Sequence, residues 1–149
     1  MYGDGDVIRR RVDQLREQGV EIRALADQLV ARTEALHWSG RAATAMRERV
    51  SERAAHLRDA AERHEAAADL LARHAQEVAA IKDEIAAIEQ RAATLVADAR
   101  SRVARVVTEN ESHLSGPRVA PDPDDVVLAG FVPPAPGHKD WLTVELPGL

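Results

Sequence analysis

The chain has no cysteine among its 149 residues, and aromatic side chains make up only 3% of it. Without cysteine it forms no disulfide, offers no thiolate nucleophile and lacks the ligands of most structural zinc sites. Its apolar fraction is nevertheless 45%, and alanine contributes much of it. This composition favours one domain of closely packed helices over a large aromatic core.

Long apolar runs are also missing. No segment approaches the roughly 20 consecutive apolar residues of a membrane span. The first residues, MYGDGDVIRRRVDQLREQG, contain no apolar run typical of a cleavable signal peptide. The net charge of -5 comes from interleaved acidic and basic residues. We therefore expect no membrane span, no general secretory export and no nucleic-acid partner.

Glycine and proline do not occur between Arg41 and Ser115, and all seven prolines lie beyond residue 116. A helical pattern without turn residues predicts one continuous or bent helix over about 41–112. A break near Lys82 and Asp83 is the alternative. The change in composition separates a helical domain, residues 1–115, from a proline-rich tail, residues 116–149, that is extended or partly ordered.

Apolar and small residues recur in alternating steps of four and three, which is the pattern of a coiled-coil seam. The first helix, about 5–37, carries this seam at Ile8, Val12, Leu15, Gly19, Ile22, Ala26, Leu29, Thr33 and Leu36. The second helix carries it at Ala43, Met46, Val50, Leu57, Ala60, His64, Ala67 and Leu71. The fold class predicted is all-α, a long antiparallel helical hairpin with an extended second helix. Gly19 is expected to let the helices approach closely.

The corner between the helices is Trp38-Ser39-Gly40. Ser39 is suited to cap the second helix, and Gly40 lets the backbone turn without a side-chain clash. Trp38 is expected to pack against the end of the hairpin.

The tail contains WLTVEL, whose alternation is typical of a short strand. Its apolar residues Phe131, Trp141 and Leu142 are candidate anchors that dock the tail on a scaffold or a partner.

Catalytic and metal-binding patterns are missing. None of the six histidines forms an i, i+4 pair that would direct two imidazoles at one metal ion from a helix. No glycine-rich phosphate loop or supported nucleophile–base pair is present. The sequence therefore predicts a non-enzymatic protein without a cofactor or a bound metal.

Beyond about residue 75 the first helix is too short to cover the second. Three covers are possible for this segment: a second copy running antiparallel, a fold-back of the helix, or the tail. We predict a homodimer, or a heterodimer with a sister hairpin, because turn residues are missing and the proline-rich tail could shield only part of the segment. Its interface would be Val78, Ile81, Ile85, Ile88, Leu95, Val103 and Val106.

The Trp38-Ser39-Gly40 corner between charged amphipathic helices resembles the Trp-x-Gly (WXG) superfamily of helical-hairpin proteins associated with type VII (ESX) secretion. The resemblance covers roughly residues 5–80, and the arginine- and alanine-rich composition fits an actinobacterial source. It implies pairing into a four-helix bundle, with itself or a sister hairpin as partner. A secretion ATPase or a larger exported effector is a further possible partner.

The resemblance also implies export through the type VII system without a cleaved signal peptide, as a substrate or an adaptor. The family's Tyr-x-x-x-Asp/Glu export signal follows the second helix, whereas the only tyrosine here is Tyr2, four residues before Asp6. We interpret Asp6 as a helix cap instead. The alternative function is a cytoplasmic coiled-coil scaffold unrelated to secretion.

Overall fold

The computed structural model describes residues 3–113 and 115–149. Its regular elements are the helices α1 (Gly3–Ala35), α2 (Arg41–Ser112) and α3 (Pro123–Ala129) and a short 3-10 helix (Lys139–Thr143). Within these described residues no β-strand occurs. The all-α prediction is confirmed, with two long helices packed together, and the strand predicted for WLTVEL is wrong. None of the described helices is both long and apolar enough to cross a membrane.

The first helix begins earlier than its sequence suggested. α1 starts at Gly3, so Asp6 lies inside the helix and does not cap it. The Asp6 carboxylate instead pairs with the Arg9 guanidinium one turn later, and this lowers the pKa of Asp6. Tyr2 lies outside the described residues.

The second helix has 72 residues, and Lys82 and Asp83 lie within it without a break. No glycine or proline interrupts its backbone hydrogen bonds. The chain divides into two compact units, one up to Ala79 and one from Ala80 to Leu149.

In the first unit, α1 packs along the Arg41–Ala79 part of α2, and we call these two segments the helix pair. Three ion pairs join them: Arg16–Asp69 at 3.1 Å, Arg23–Glu65 at 3.1 Å and Asp27–Arg58 at 2.7 Å. As the residue number rises along α1, it falls along α2, so the segments run in opposite directions. All three ion pairs are solvent-exposed, and each contributes at most about 1 kcal/mol.

Small residues form the contact between the two helices. A Cβ added to Gly19 would lie 3.3 Å from the carbonyl oxygen of Ala61, which shows how closely the backbones approach. In an antiparallel pair, seven residues back along α1 correspond to seven residues forward along α2. Starting from Gly19 and Ala61, this places Val12 beside Ala68 and Ala26 beside Ala54. All of these residues are buried: Val12, Gly19, Ala26, Ala54, Ala61 and Ala68.

This contact corrects the seam predicted for α2. Ala61 and Ala68 face α1, whereas Ala67 is exposed and Ala60 is only partly buried. The predicted stripe is therefore displaced by one residue at Ala60 and Ala67. The predicted Ala43 is buried, and the predicted large residues of α2 from Val50 to Leu71 are partly buried. The α1 seam, in contrast, is buried or partly buried from Ile8 to Thr33 as expected.

In the second unit the tail is folded and packs on α2. Asp122 caps α3 by accepting a hydrogen bond from the Asp124 backbone N–H at 2.8 Å, and Pro123 occupies the first turn, where its missing N–H is not needed. Gly130 ends the helix. The core of the unit joins Ile85 and Ala92 of α2 to Trp141 of the tail.

Candidate interaction surfaces

One side of the helix pair is lined by large aliphatic residues that α1 and α2 cover only partly. In α1 each of these large residues lies four positions before a residue buried against α2; Ile8, for example, precedes Val12. The same offset occurs in α2, where Leu57 precedes the buried Ala61. Four residues turn a side chain by about 40° around a helix. Because the helices run in opposite directions, the 40° rotation has opposite sense in α1 and α2. The large side chains of both helices therefore lie on the same side of the pair.

We call this side the open face. It consists of Ile8, Leu15, Ile22 and Leu29 from α1 and Val50, Leu57, His64 and Leu71 from α2, all partly buried. Two further large residues extend it outward: Leu25 is 50% exposed and Met46 is 45% exposed. Met46, Ala60 and Ala67 belong to the stripe that the sequence analysis assigned to the contact with α1. The structure leaves this part of the stripe facing away from α1.

His64 is the one polar member of the open face. Its Nδ1 lies 2.8 Å from the carbonyl oxygen of Ala60, one turn earlier in α2. This local contact gives the imidazole ring a hydrogen-bond partner, so that its position needs no metal ion to explain it. In the described parts of the chain, no group of three or more histidine, aspartate or glutamate side chains is placed to hold a metal ion.

The connection between α1 and α2 differs from the predicted corner in two respects. Gly40 directly precedes α2, has a positive φ of 106°, and its carbonyl accepts the Thr44 N–H at 3.1 Å, so Gly40 and not Ser39 occupies the cap position. Trp38 is 52% exposed, so the expectation that it packs against the helix ends is wrong. Its backbone carbonyl accepts a hydrogen bond from Arg47.

The exposure of Trp38 leads to a prediction about stability. Trp38→Ala should change the free energy of unfolding by no more than about 0.5 kcal/mol, as expected for an exposed side chain away from the core. Thermal unfolding followed by circular dichroism measures this. A loss of several kcal/mol would show that the indole ring is packed in solution.

The tail covers much of the stripe of α2 that was predicted for self-association. Ile85 is buried beneath Trp141, and Ile88 packs on the same cluster. Leu95 lies close to Gly148 of the tail: a Cβ added to Gly148 would lie 3.7 Å from the Cδ2 atom of Leu95. The prediction that the tail could shield only part of this stripe agrees with the structure, because the tail packs on Ile85, Ile88 and Leu95 and leaves Ile81 largely exposed. Of the other predicted interface residues, Val78, Val103 and Val106 are partly buried and Ile81 is 46% exposed.

The candidate tail anchors behave differently from one another. Trp141 is 5% exposed, its indole N–H donates to the Ala135 carbonyl at 3.1 Å, and its ring meets Phe131 edge to face at 6.1 Å. Leu142 is 42% exposed and does not anchor the tail. The 3-10 turn at Lys139–Thr143 directs neighbouring side chains to different sides, which explains the contrast.

An ion pair that sequence reasoning missed also joins the tail to α2. The Arg102 guanidinium binds both carboxylate oxygens of Asp125, with contacts of 2.6 to 3.0 Å. The hydrogen bonds from Arg102 lower the pKa of Asp125 below its usual value. The ion pair therefore contributes fully to the stability of the fold at pH values above the ordinary carboxyl pKa. This contribution is lost as the pH falls through the lowered pKa of Asp125. The Asp-Pro-Asp-Asp stretch that caps and begins α3 was the available sequence signal.

Comparison with known protein families, with characterised proteins and with solved structures gave no match to this chain.

Proposed function

We propose that the helix pair is a non-enzymatic protein–protein interaction module that binds a second helical hairpin through its open face. The observation that carries the proposal is the alignment of large aliphatic residues from both helices on one side. Fully burying such a side chain contributes about 1.5 to 3 kcal/mol, and the open face holds seven that are only partly buried. A second hairpin laid on this face would complete a four-helix bundle.

The small residues between α1 and α2 support this arrangement. They bring the two backbones close together, so the large side chains are displaced to one side and remain available to a partner. The partner is a second copy or a sister hairpin with the same pattern. Trp38-Ser39-Gly40 stands between two such helices, as in the Trp-x-Gly proteins that this chain resembles. The proposed role is a substrate or an adaptor of type VII (ESX) secretion.

Leu25 and Val20 provide a matched test of the open face. Both are exposed aliphatic residues of α1, but Leu25 lies on the open face, whereas Val20 lies about 160° around the helix from Ile22. Leu25→Glu should weaken pairing, and Val20→Glu should leave it unchanged. Neither substitution introduces a charge into the contact between α1 and α2.

Sedimentation equilibrium of the intact chain measures pairing with itself, and co-expression with hairpin proteins from neighbouring genes measures pairing with a sister. We expect a complex with the wild type and with Val20→Glu that Leu25→Glu disrupts. A wild-type chain that stays monomeric and captures no hairpin protein would contradict the proposed module.

Export is tested separately by comparing culture supernatant with cytosol in a secretion-competent strain. Deleting residues 117–149 then shows whether the tail carries an export signal. Appearance of the intact chain in the supernatant, dependent on the type VII ATPase, is the expected result. A chain found only in the cytosol would leave the interaction module in place and favour the alternative of a cytoplasmic scaffold.

A further inference from the structure

The stripe of α2 beneath the tail has a symmetry of its own. Each of its apolar residues has an apolar equivalent at the same distance in sequence on the other side of a midpoint between Leu95 and Val96. At about 100° per residue, all eight point within roughly 50° of one direction. The equivalent pairs are Ile85 with Val106, Ile88 with Val103, Ala92 with Ala99, and Leu95 with Val96.

A stripe with this spacing is complementary to itself when two copies run antiparallel. A two-fold axis through the midpoint would set each residue beside its equivalent in the other copy, with large residues beside large ones and alanine beside alanine. Charged residues border the stripe on both sides, among them Lys82, Glu89, Arg102 and Glu109. These features identify a second copy of this chain as the occupant that the stripe fits.

In the folded chain the tail uses the same side chains. Glu89 accepts a hydrogen bond from the Gly137 N–H, and Arg91 donates to the Gly148 carbonyl at 2.7 Å. Arg100 donates to the Ala129 carbonyl at 3.3 Å, and Arg102 binds Asp125. These four residues are themselves symmetric about the midpoint, since 89 corresponds to 102 and 91 corresponds to 100. The tail therefore occupies both the apolar stripe and its charged borders.

The cover that the tail provides is incomplete. A cavity of about 440 Å³ remains between α2 and the tail, bordered by Ala93, Ala97, Phe131 and Trp141. The hydrogen bonds from Arg91 and Arg100 to the tail are solvent-exposed. Such contacts are readily exchanged for contacts with water or with another chain.

We propose that the tail is a displaceable intramolecular cover that prevents antiparallel self-association of α2 along residues 85–106. When the tail is released, a second copy takes its place on the stripe. This inference goes beyond the proposed function, because it concerns a part of α2 outside the helix pair, and it stands if the open face binds nothing.

Cysteine cross-linking tests the proposal in the full-length chain, which has no cysteine of its own. Ala92→Cys with Ala99→Cys places thiols at equivalent positions of the expected dimer. Within one helix the two lie seven residues, about 10 Å, apart, which is too far for an internal disulfide. Trp141→Ala with Asp125→Ala, made in the same chain, releases the tail.

We expect mild oxidation to give a disulfide-linked dimer with the released tail and little with the intact tail. Ala87→Cys with Thr94→Cys is the matched control, because it has the same spacing on an exposed side of α2 that does not border the tail and should give no such increase. A free peptide of residues 117–149 should suppress the cross-link, whereas the same peptide carrying Trp141→Ala should not.

Equal cross-linking with intact and released tails would overturn the proposal, as would its absence with the released tail. A loss of helical circular dichroism on releasing the tail would also overturn it, because the tail would then be a required part of the fold. Cross-linking at Ala92 and Ala99 does not depend on Leu25, so the outcome is separate from that for the open face.

Discussion

Trp141→Ala should detach the tail from α2. Truncating a buried tryptophan costs about 3 to 5 kcal/mol, and here the change also removes the edge-to-face contact with Phe131 and the hydrogen bond to Ala135. The tail has few other large buried side chains to compensate, with Leu128 the main one. Tryptic cleavage after Lys139 should therefore become much faster.

Leu142→Ala is the matched control, since Leu142 is the neighbouring residue in the same 3-10 helix and is largely exposed. Its cleavage rate should stay close to that of the wild type. If Trp141→Ala were cleaved no faster than Leu142→Ala, the indole ring would not be what holds the tail in solution.

Gly19→Leu should separate α1 from α2 and destabilise the helix pair by about 1 to 3 kcal/mol or more, the usual cost of overpacking. An added Cβ would already lie 3.2 Å from the Glu65 side chain and 3.3 Å from the Ala61 carbonyl oxygen, and the carbonyl belongs to helical backbone that cannot move aside. The higher helix propensity of leucine offsets only about 0.8 to 1 kcal/mol.

Urea unfolding followed by circular dichroism measures this effect. Val20→Leu provides the control, because Val20 is 64% exposed on the same helix and leucine there meets open space. A Gly19→Leu chain as stable as the control would mean that the helices do not approach as closely as the structure indicates. The small-residue contact behind the open face would then be absent.

The helix pair shows where sequence periodicity is sufficient and where it is not. In α1 only one apolar stripe exists, and the seam from Ile8 to Thr33 was predicted correctly. In α2 alanines stand at neighbouring positions, so Ala60 and Ala61 fit two stripes about 100° apart. The sequence contains no preference between them. The close approach of Gly19 to Ala61 determines which of the two stripes contacts α1.

The candidate surfaces were predictable to different degrees. Except for Leu25, the large residues of the open face were recognised as apolar seam positions, but their shared side depends on which alanines α1 covers. The role of Trp38 was misjudged, because an apolar ring at a turn satisfies the same pattern whether it packs inward or faces water. Phe131 and Trp141 stood out in a proline-rich tail, whereas the pairing of Asp125 with Arg102 could not be seen before the tail was placed on α2.

By itself the sequence determined that this chain is helical, that α1 and α2 are long, and that the connection between them contains Trp38, Ser39 and Gly40. These properties depend on local patterns, namely heptad spacing, the distribution of glycine and proline, and the missing cysteines. Tertiary structure alone decided which stripe of α2 meets α1, and that the tail packs on α2 between Ile85 and Arg102. The physical reason is that several apolar stripes of similar hydrophobicity compete for burial, and the closest packing available selects among them.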